Sequence, residues 1–190
     1  AVAMVACGLL GVGIERVAYK PLRNSPRLAV LITAIGMSFI LQNVGLVWKG
    51  PAQVPFPELI SDANILPTDA VVFRWKDLFV IGVTIPLLVA LSYFISNTKQ
   101  GKAMRAVAQD KEAASMVGIN VNRTISITFL LGGILAGASG VMYGLFNGNP
   151  VFNVGFTQGL YAFTAAVLGG IGNLTGAVVG GFLIGIIGSM

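Results

Sequence analysis

Long apolar runs alternate with short charged stretches along this chain, and the alternation predicts its elements. Leu28–Trp48, Leu78–Asn97 and Ile125–Phe146 are each close to a hydrocarbon crossing, which takes about 20 apolar residues in a helix. Ala1–Ile14 is apolar but shorter, and reads as the end of an earlier span. Leu160–Met190 is a further apolar region, interrupted at Gly169–Gly176. The expected fold is an all-α, polytopic transmembrane helix bundle. Residues 1–190 are expected to be part of a single transmembrane domain that extends past both ends, because neither terminal run completes a span.

Composition agrees with the pattern. Charged residues make up 10% of the chain, against roughly 25% in soluble domains, and the mean hydropathy is +0.84. There is no His and one Cys, Cys7. The commonest general base and transition-metal ligand is therefore missing, and neither an internal disulfide nor a cysteine zinc site can form. No catalytic residue and no metal ligand is expected.

The net charge of +5 is placed in loops rather than assigned to nucleic-acid binding. Loop 15–27 carries Arg16, Lys20, Arg23 and Arg27 against Glu15. Loop 98–124 carries Lys99, Lys102, Arg105, Lys111 and Arg123 against Asp110 and Glu112. Loop 49–77 is balanced, with Lys49, Arg74 and Lys76 against Glu58, Asp62, Asp69 and Asp77. Positive loops stay in the cytoplasm, so the first two are expected inside and the third outside. Pro51, Pro55, Pro57 and Pro67 prevent one continuous helix in the outer loop, which is expected to be an ordered cap. Trp48 and Trp75 suit the aromatic belt.

No charge falls inside a complete span, which fits a path for a net-neutral solute and fits a structural bundle equally. Gly133, Gly137, Gly140 and Gly144 share one helix face and are expected to admit a close neighbour. Gly176, Gly180, Gly181 and Gly185 repeat the pattern. Pro86 is expected to kink its span. The stretch Gly169–Gly176 reads as a helix break, with Asn173 and Thr175 able to bond freed backbone groups. Gly172, Asn173 and Thr175 are candidates for the lining of a translocation path, or members of a plain turn. Gln42 and Asn43, near the outer end of their span, either join helices or touch solute.

Two apparent catalytic motifs dissolve on inspection. Gly137-Ala138-Ser139-Gly140 resembles an intramembrane serine-protease motif, but no His is present to activate the Ser. Gly169–Gly176 lacks the Lys and Ser/Thr of a phosphate loop. Any ATP that drives this protein must be bound by another subunit.

The charged stretch Gly101–Val117 is rich in Ala, Met, Lys, Arg, Gln and Glu and predicts one amphipathic helix. Met104, Val107, Ala108 and Lys111 form its apolar face. Asn97 or Thr98 caps its start and Gly118 ends it in a left-handed conformation. Ala113 and Ala114 keep its end thin. Such a helix either docks a partner or lies on lipid headgroups.

Several stretches together resemble the permease subunits of branched-chain amino acid ABC importers. They are Gly13–Arg23, Leu31–Ser38, Leu41-Gln42-Asn43, Gly101–Asp110 with Ala114, Gly118-Ile119-Asn120 and Arg123, and Leu168–Asn173 running on to Gly180-Gly181. The resemblance implies that 98–124 is a cytoplasmic coupling loop, with Gly101, Lys102, Arg105, Asp110, Glu112, Ala113, Ala114 and Gly118 as its functional residues. The Leu-Pro pair of the broader importer loop does not follow Gly118, which leaves the fine docking geometry open. The resemblance further implies a second permease subunit, two cytoplasmic ATP-binding subunits that hold ATP and Mg, a periplasmic substrate-binding protein, and a bacterial inner membrane with its lipid. The cargo stays open between branched-chain amino acids, other amino acids, and urea or short amides. An ATP-independent channel is the rival from another class.

Overall fold

A computed structural model describes residues 2–22, 25–52, 55, 74–148, 151, 153–170 and 172–189. Among them the chain forms α1 (Val2–Ile14), a π-helical turn (Glu15–Tyr19), α2 (Arg27–Lys49), α3 (Trp75–Asn97), α4 (Lys99–Gln109), α5 (Lys111–Met116), α6 (Val121–Asn147), α7 (Val154–Leu168) and α8 (Leu174–Ser189). Four segments are long and apolar enough to cross a membrane: Val2–Tyr19, Ala29–Lys49, Trp75–Asn97 and Val121–Asn147. Trp48 and Trp75 sit at the helix ends, exposed, as the aromatic belt requires. The expected cap over loop 49–77 falls largely on residues 53–54 and 56–73, outside the described residues.

Glycine determines the central helix pair. Gly133 of α6 lies against the backbone of Cys7 and Gly8, and a Cβ on Gly137 would stand 2.7 Å from the Ala3 carbonyl oxygen. From the other side, a Cβ on Gly11 of α1 would stand 2.8 Å from the Phe129 carbonyl oxygen. The backbones can touch only because side chains are absent at these positions, and the gain is van der Waals packing. The contacts run from Ala3–Gly137 through Cys7–Gly133 to Glu15–Ser126, so α1 and α6 are antiparallel. Loops 15–27 and 98–124 therefore emerge at the same end of the bundle. Gly140 is exposed, and a Cβ added to it would meet no atom of the described residues within 4 Å.

The chain corrects the expected end of the first span. Helix continues past Ile14 through one π turn, closed by Lys20 N–H donating to the Glu15 carbonyl at 2.8 Å. Glu15 is thus inside a spanning helix and not in a loop. It is fully buried, and Ser126 Oγ donates to its Oε2 at 2.8 Å. A carboxylate tolerates burial only when its oxygens are bonded. The sequence signal was ambiguous because one buried acid beside Arg16 reads as the start of a charged loop.

The break near the C-terminus is present. α7 and α8 form a hairpin joined through Gly170 (φ 90°) and Gly172 (φ 96°), conformations that L side chains resist. Gly169 and Gly176 meet backbone to backbone, and Gly180 rests on the Ala165 carbonyl. Asn173 Oδ1 caps α8 by accepting from Gly176 N–H at 3.2 Å. At 15 and 16 residues, these helices reach about 22–24 Å at 1.5 Å per residue, short of a bilayer core of roughly 30 Å.

Candidate functional site

Loop 98–124 is folded, and each turn has an identifiable cause. Thr98 Oγ1 donates to the Phe94 carbonyl at 2.6 Å and accepts from Gly101 N–H at 3.0 Å, ending α3 and capping α4. Gly101 lies on the carbonyls of Phe94 and Ile95, leaving no room for a side chain. Arg105 Nη2 reaches back to the Ser96 carbonyl at 3.3 Å, a cation on the C-terminal end of α3. Gly101 and Arg105 thus hold α4 to α3.

The expected single helix over Gly101–Val117 is two helices. Asp110 is extended (φ −150°, ψ 117°), and its Oδ1 accepts from Glu112 N–H at 2.8 Å and Ala113 N–H at 3.1 Å. The N-capping preference of Asp overrides the helix propensity of its neighbours. Lys111 lies beyond the break and is exposed, and Ala108, still within α4, is exposed as well, so neither joins the expected apolar face. That face consists of Gly101 and Val107, buried, with Met104 half-buried. Asp110→Ala is expected to destabilise α5 by about 1 kcal/mol, the usual value of such a cap. Faster hydrogen exchange at the Glu112 and Ala113 amides in the purified protein is the measurement that checks it.

α5 closes with a Schellman motif. Ile119 N–H donates to the Ala114 carbonyl at 3.1 Å and Gly118 N–H to the Ser115 carbonyl at 3.0 Å, with Gly118 at φ 83°. The expected role of Gly118 is met. Ala114 differs from its expectation. It is 3% exposed and faces inward, so it anchors the loop and does not thin an outward surface. Lys102, Glu112 and Ala113 do point outward.

The sequence reading passed over two large apolar residues of this loop that stand exposed. Met116 is 84% and Val117 is 75% exposed, next to each other at the tip of α5. Their signal was two large apolar residues immediately before a helix-ending glycine in an otherwise charged loop. Held by Ala114 and the Schellman bonds, they form a rigid apolar knob at the end of the bundle where α1 finishes and α6 begins.

The path candidates do not form one cluster. Gln42 is half-buried, and its Nε2 is enclosed without a hydrogen-bond partner among the described residues. Asn43 donates from Nδ2 to the Phe39 carbonyl of its own helix at 2.8 Å, so it does not join helices through that group. It lines an apolar groove of about 790 Å³ with Phe39, Ile40 and Trp48. Phe39 stacks on Phe156 in the first turn of α7 at 5.4 Å. Gly172, Asn173 and Thr175 lie beyond the last turn of α7, all exposed. The length of α7, about 22 Å, separates the two groups.

Helices able to cross a bilayer, packed through glycine, with a folded charged ledge at one end, define an integral multi-pass membrane protein. Residues 1–190 match the profile of the family described as branched-chain amino acid transport system, permease component, and the chain belongs to that family. It is 42% identical, over 97% of its length, to the high-affinity branched-chain amino acid transport system permease protein LivH of Escherichia coli (strain K12). It is 39% identical, over 98% of its length, to the corresponding permease protein BraD of Pseudomonas aeruginosa. A probable permease protein of the same kind from Methanocaldococcus jannaschii is 30% identical over 91% of the chain. The chain spans 61% of LivH, 62% of BraD and 56% of the archaeal protein. No solved structure matches it.

Proposed function

We propose that this chain forms the membrane path, with a second permease subunit, of an ATP-driven importer for branched-chain amino acids in a bacterial inner membrane. The connection from Lys20 to Arg27 and loop 98–124 face the cytoplasm, and loop 49–77 faces the periplasm. Two cytoplasmic ATP-binding subunits carry ATP and Mg and bear on the α4–α5 ledge. A periplasmic binding protein delivers the solute at the opposite end. The cargo assignment rests on the relatives at 39–42% identity, which are named as branched-chain amino acid permeases.

The observation that carries the mechanism is the apolar knob Met116–Val117 on a braced ledge. α4 is tied to α3 through Gly101 and Arg105, and α5 is seated through Ala114 close to the start of α6. α6 is in turn locked to α1 through glycine contacts. A push on the knob during nucleotide-driven closure is therefore delivered to three helices as a rigid-body displacement, not absorbed by a flexible loop.

Gly118→Trp in the full-length protein is the test. Trp at φ 83° opens the Schellman turn, a strain of about 1–2 kcal/mol, and displaces the knob. The protein is expected to remain in the membrane while branched-chain amino acid uptake and permease-stimulated ATPase activity both fall. Survival of both activities would contradict the proposal.

A further inference from the structure

A second site lies at the same end of the bundle and plays no part in the coupling proposal. A cleft of about 430 Å³ separates the π turn from the start of α6, within the roughly 300–1,000 Å³ range of small-ligand clefts. Arg16 and Lys20 stand on one wall and Arg123 and Asn122 on the other, with Glu15 and Ser126 at its base. Arg16, Lys20 and Arg123 are exposed and form no ion pair among the described residues. Three cations thus surround one carboxylate, and that carboxylate is buried and accepts a hydrogen bond from Ser126 Oγ. The net charge of the cleft is positive. The N-terminal end of the 27-residue α6 opens beside it and adds its partial positive charge.

We propose that this cleft binds the phosphate of an anionic phospholipid headgroup. The chemistry required is a phosphate ester, which Arg and Lys recognise through charge-assisted hydrogen bonds. The lipid source follows from what adjoins the cleft. Arg16 and Lys20 end a membrane-spanning helix, so they stand at headgroup level. Val17, between them, is 76% exposed, and Leu9, two turns earlier on the side of Arg16, is also exposed. An acyl chain has an apolar track along α1 that leads directly from the phosphate site into the bilayer. Basic pockets between helices at a membrane face have this recognition chemistry. The bound lipid would bridge α1 and α6 at the root of the ledge. The coupling proposal enters only in naming the leaflet as cytoplasmic, and lipid retention and uptake fail independently of each other.

The test uses full-length protein reconstituted with phosphatidylcholine alone or with added phosphatidylglycerol, followed by native mass spectrometry of the lipid it retains. Wild type is expected to retain phosphatidylglycerol in preference to phosphatidylcholine. The triple variant Arg16→Gln, Lys20→Gln, Arg123→Gln is expected to lose that preference by roughly a hundredfold, each cation contributing about fivefold. The charge-keeping variant Arg16→Lys, Arg123→Lys is expected to preserve it, which separates charge recognition from a folding defect. Equal retention of both lipids by wild type would overturn the proposal. So would an unchanged preference in the triple variant, or displacement of the lipid by inorganic phosphate at the concentration of the competing lipid.

Discussion

Replacing Met116 and Val117 together with Asp in the full-length protein is expected to abolish coupled uptake while leaving the amount of protein in the membrane unchanged. Both side chains are exposed, so the folded permease loses few contacts; surface changes of this kind shift stability by about 0.5 kcal/mol or less. A docking surface behaves differently. Central apolar anchors contribute about 2 kcal/mol or more each, and charge placed there faces a desolvated cleft. Affinity for the ATP-binding subunits is expected to fall about 30-fold per anchor, and uptake with it. Radiolabelled leucine uptake, set against immunoblotted membrane protein, is the measurement. Ala114→Leu provides the contrast: Ala114 is buried, so the larger side chain is expected to reduce the protein itself, not uncouple it.

The second large effect is expected inside the membrane. Gly137→Leu forces the α1 and α6 backbones apart, because even a methyl carbon there would lie 2.7 Å from the Ala3 carbonyl oxygen and 2.9 Å from the Met4 Cα. Overpacking costs about 1–3 kcal/mol where side chains can adjust, and a backbone neighbour adjusts least. The thermal midpoint of the purified protein is expected to drop by several degrees, with loss of folded material when Gly133→Leu is added. An unchanged midpoint in Gly137→Leu would show that contact with α1 is not what makes the stripe sensitive.

Those two glycines also mark how far the sequence could be read. The four-three-four spacing put the residues on one face, but spacing carries no information about which neighbour they meet; Gly133 and Gly137 meet the backbone of α1. Span positions were legible because about 20 apolar residues leave one solution in a bilayer. Glu15 was misplaced because local sequence shows a charge but not Ser126, which lies 111 residues away and makes its burial possible. In the ledge, helix propensity favoured one helix through Asp110, while the capping bonds to Glu112 and Ala113 favoured two. Propensity is a sum of small terms, and two hydrogen bonds at one carboxylate outweigh it locally. Gly118 was read correctly because its left-handed conformation is a backbone requirement independent of tertiary contacts. Met116 and Val117 were overlooked because an apolar residue in a loop is usually covered, and only the fold shows that these are not.

The central claim is that the Met116–Val117 knob lies in the cytoplasm against an ATP-binding subunit. Met116→Cys, in a full-length background whose other cysteines, Cys7 among them, are replaced by Ser, tests it most directly. In intact cells the new thiol is expected to resist a membrane-impermeant maleimide, and in the assembled transporter a short thiol-reactive crosslinker is expected to join it to the ATP-binding subunit. Labelling from outside the cell, or an assembled transporter in which no crosslink to that subunit forms, would contradict the account.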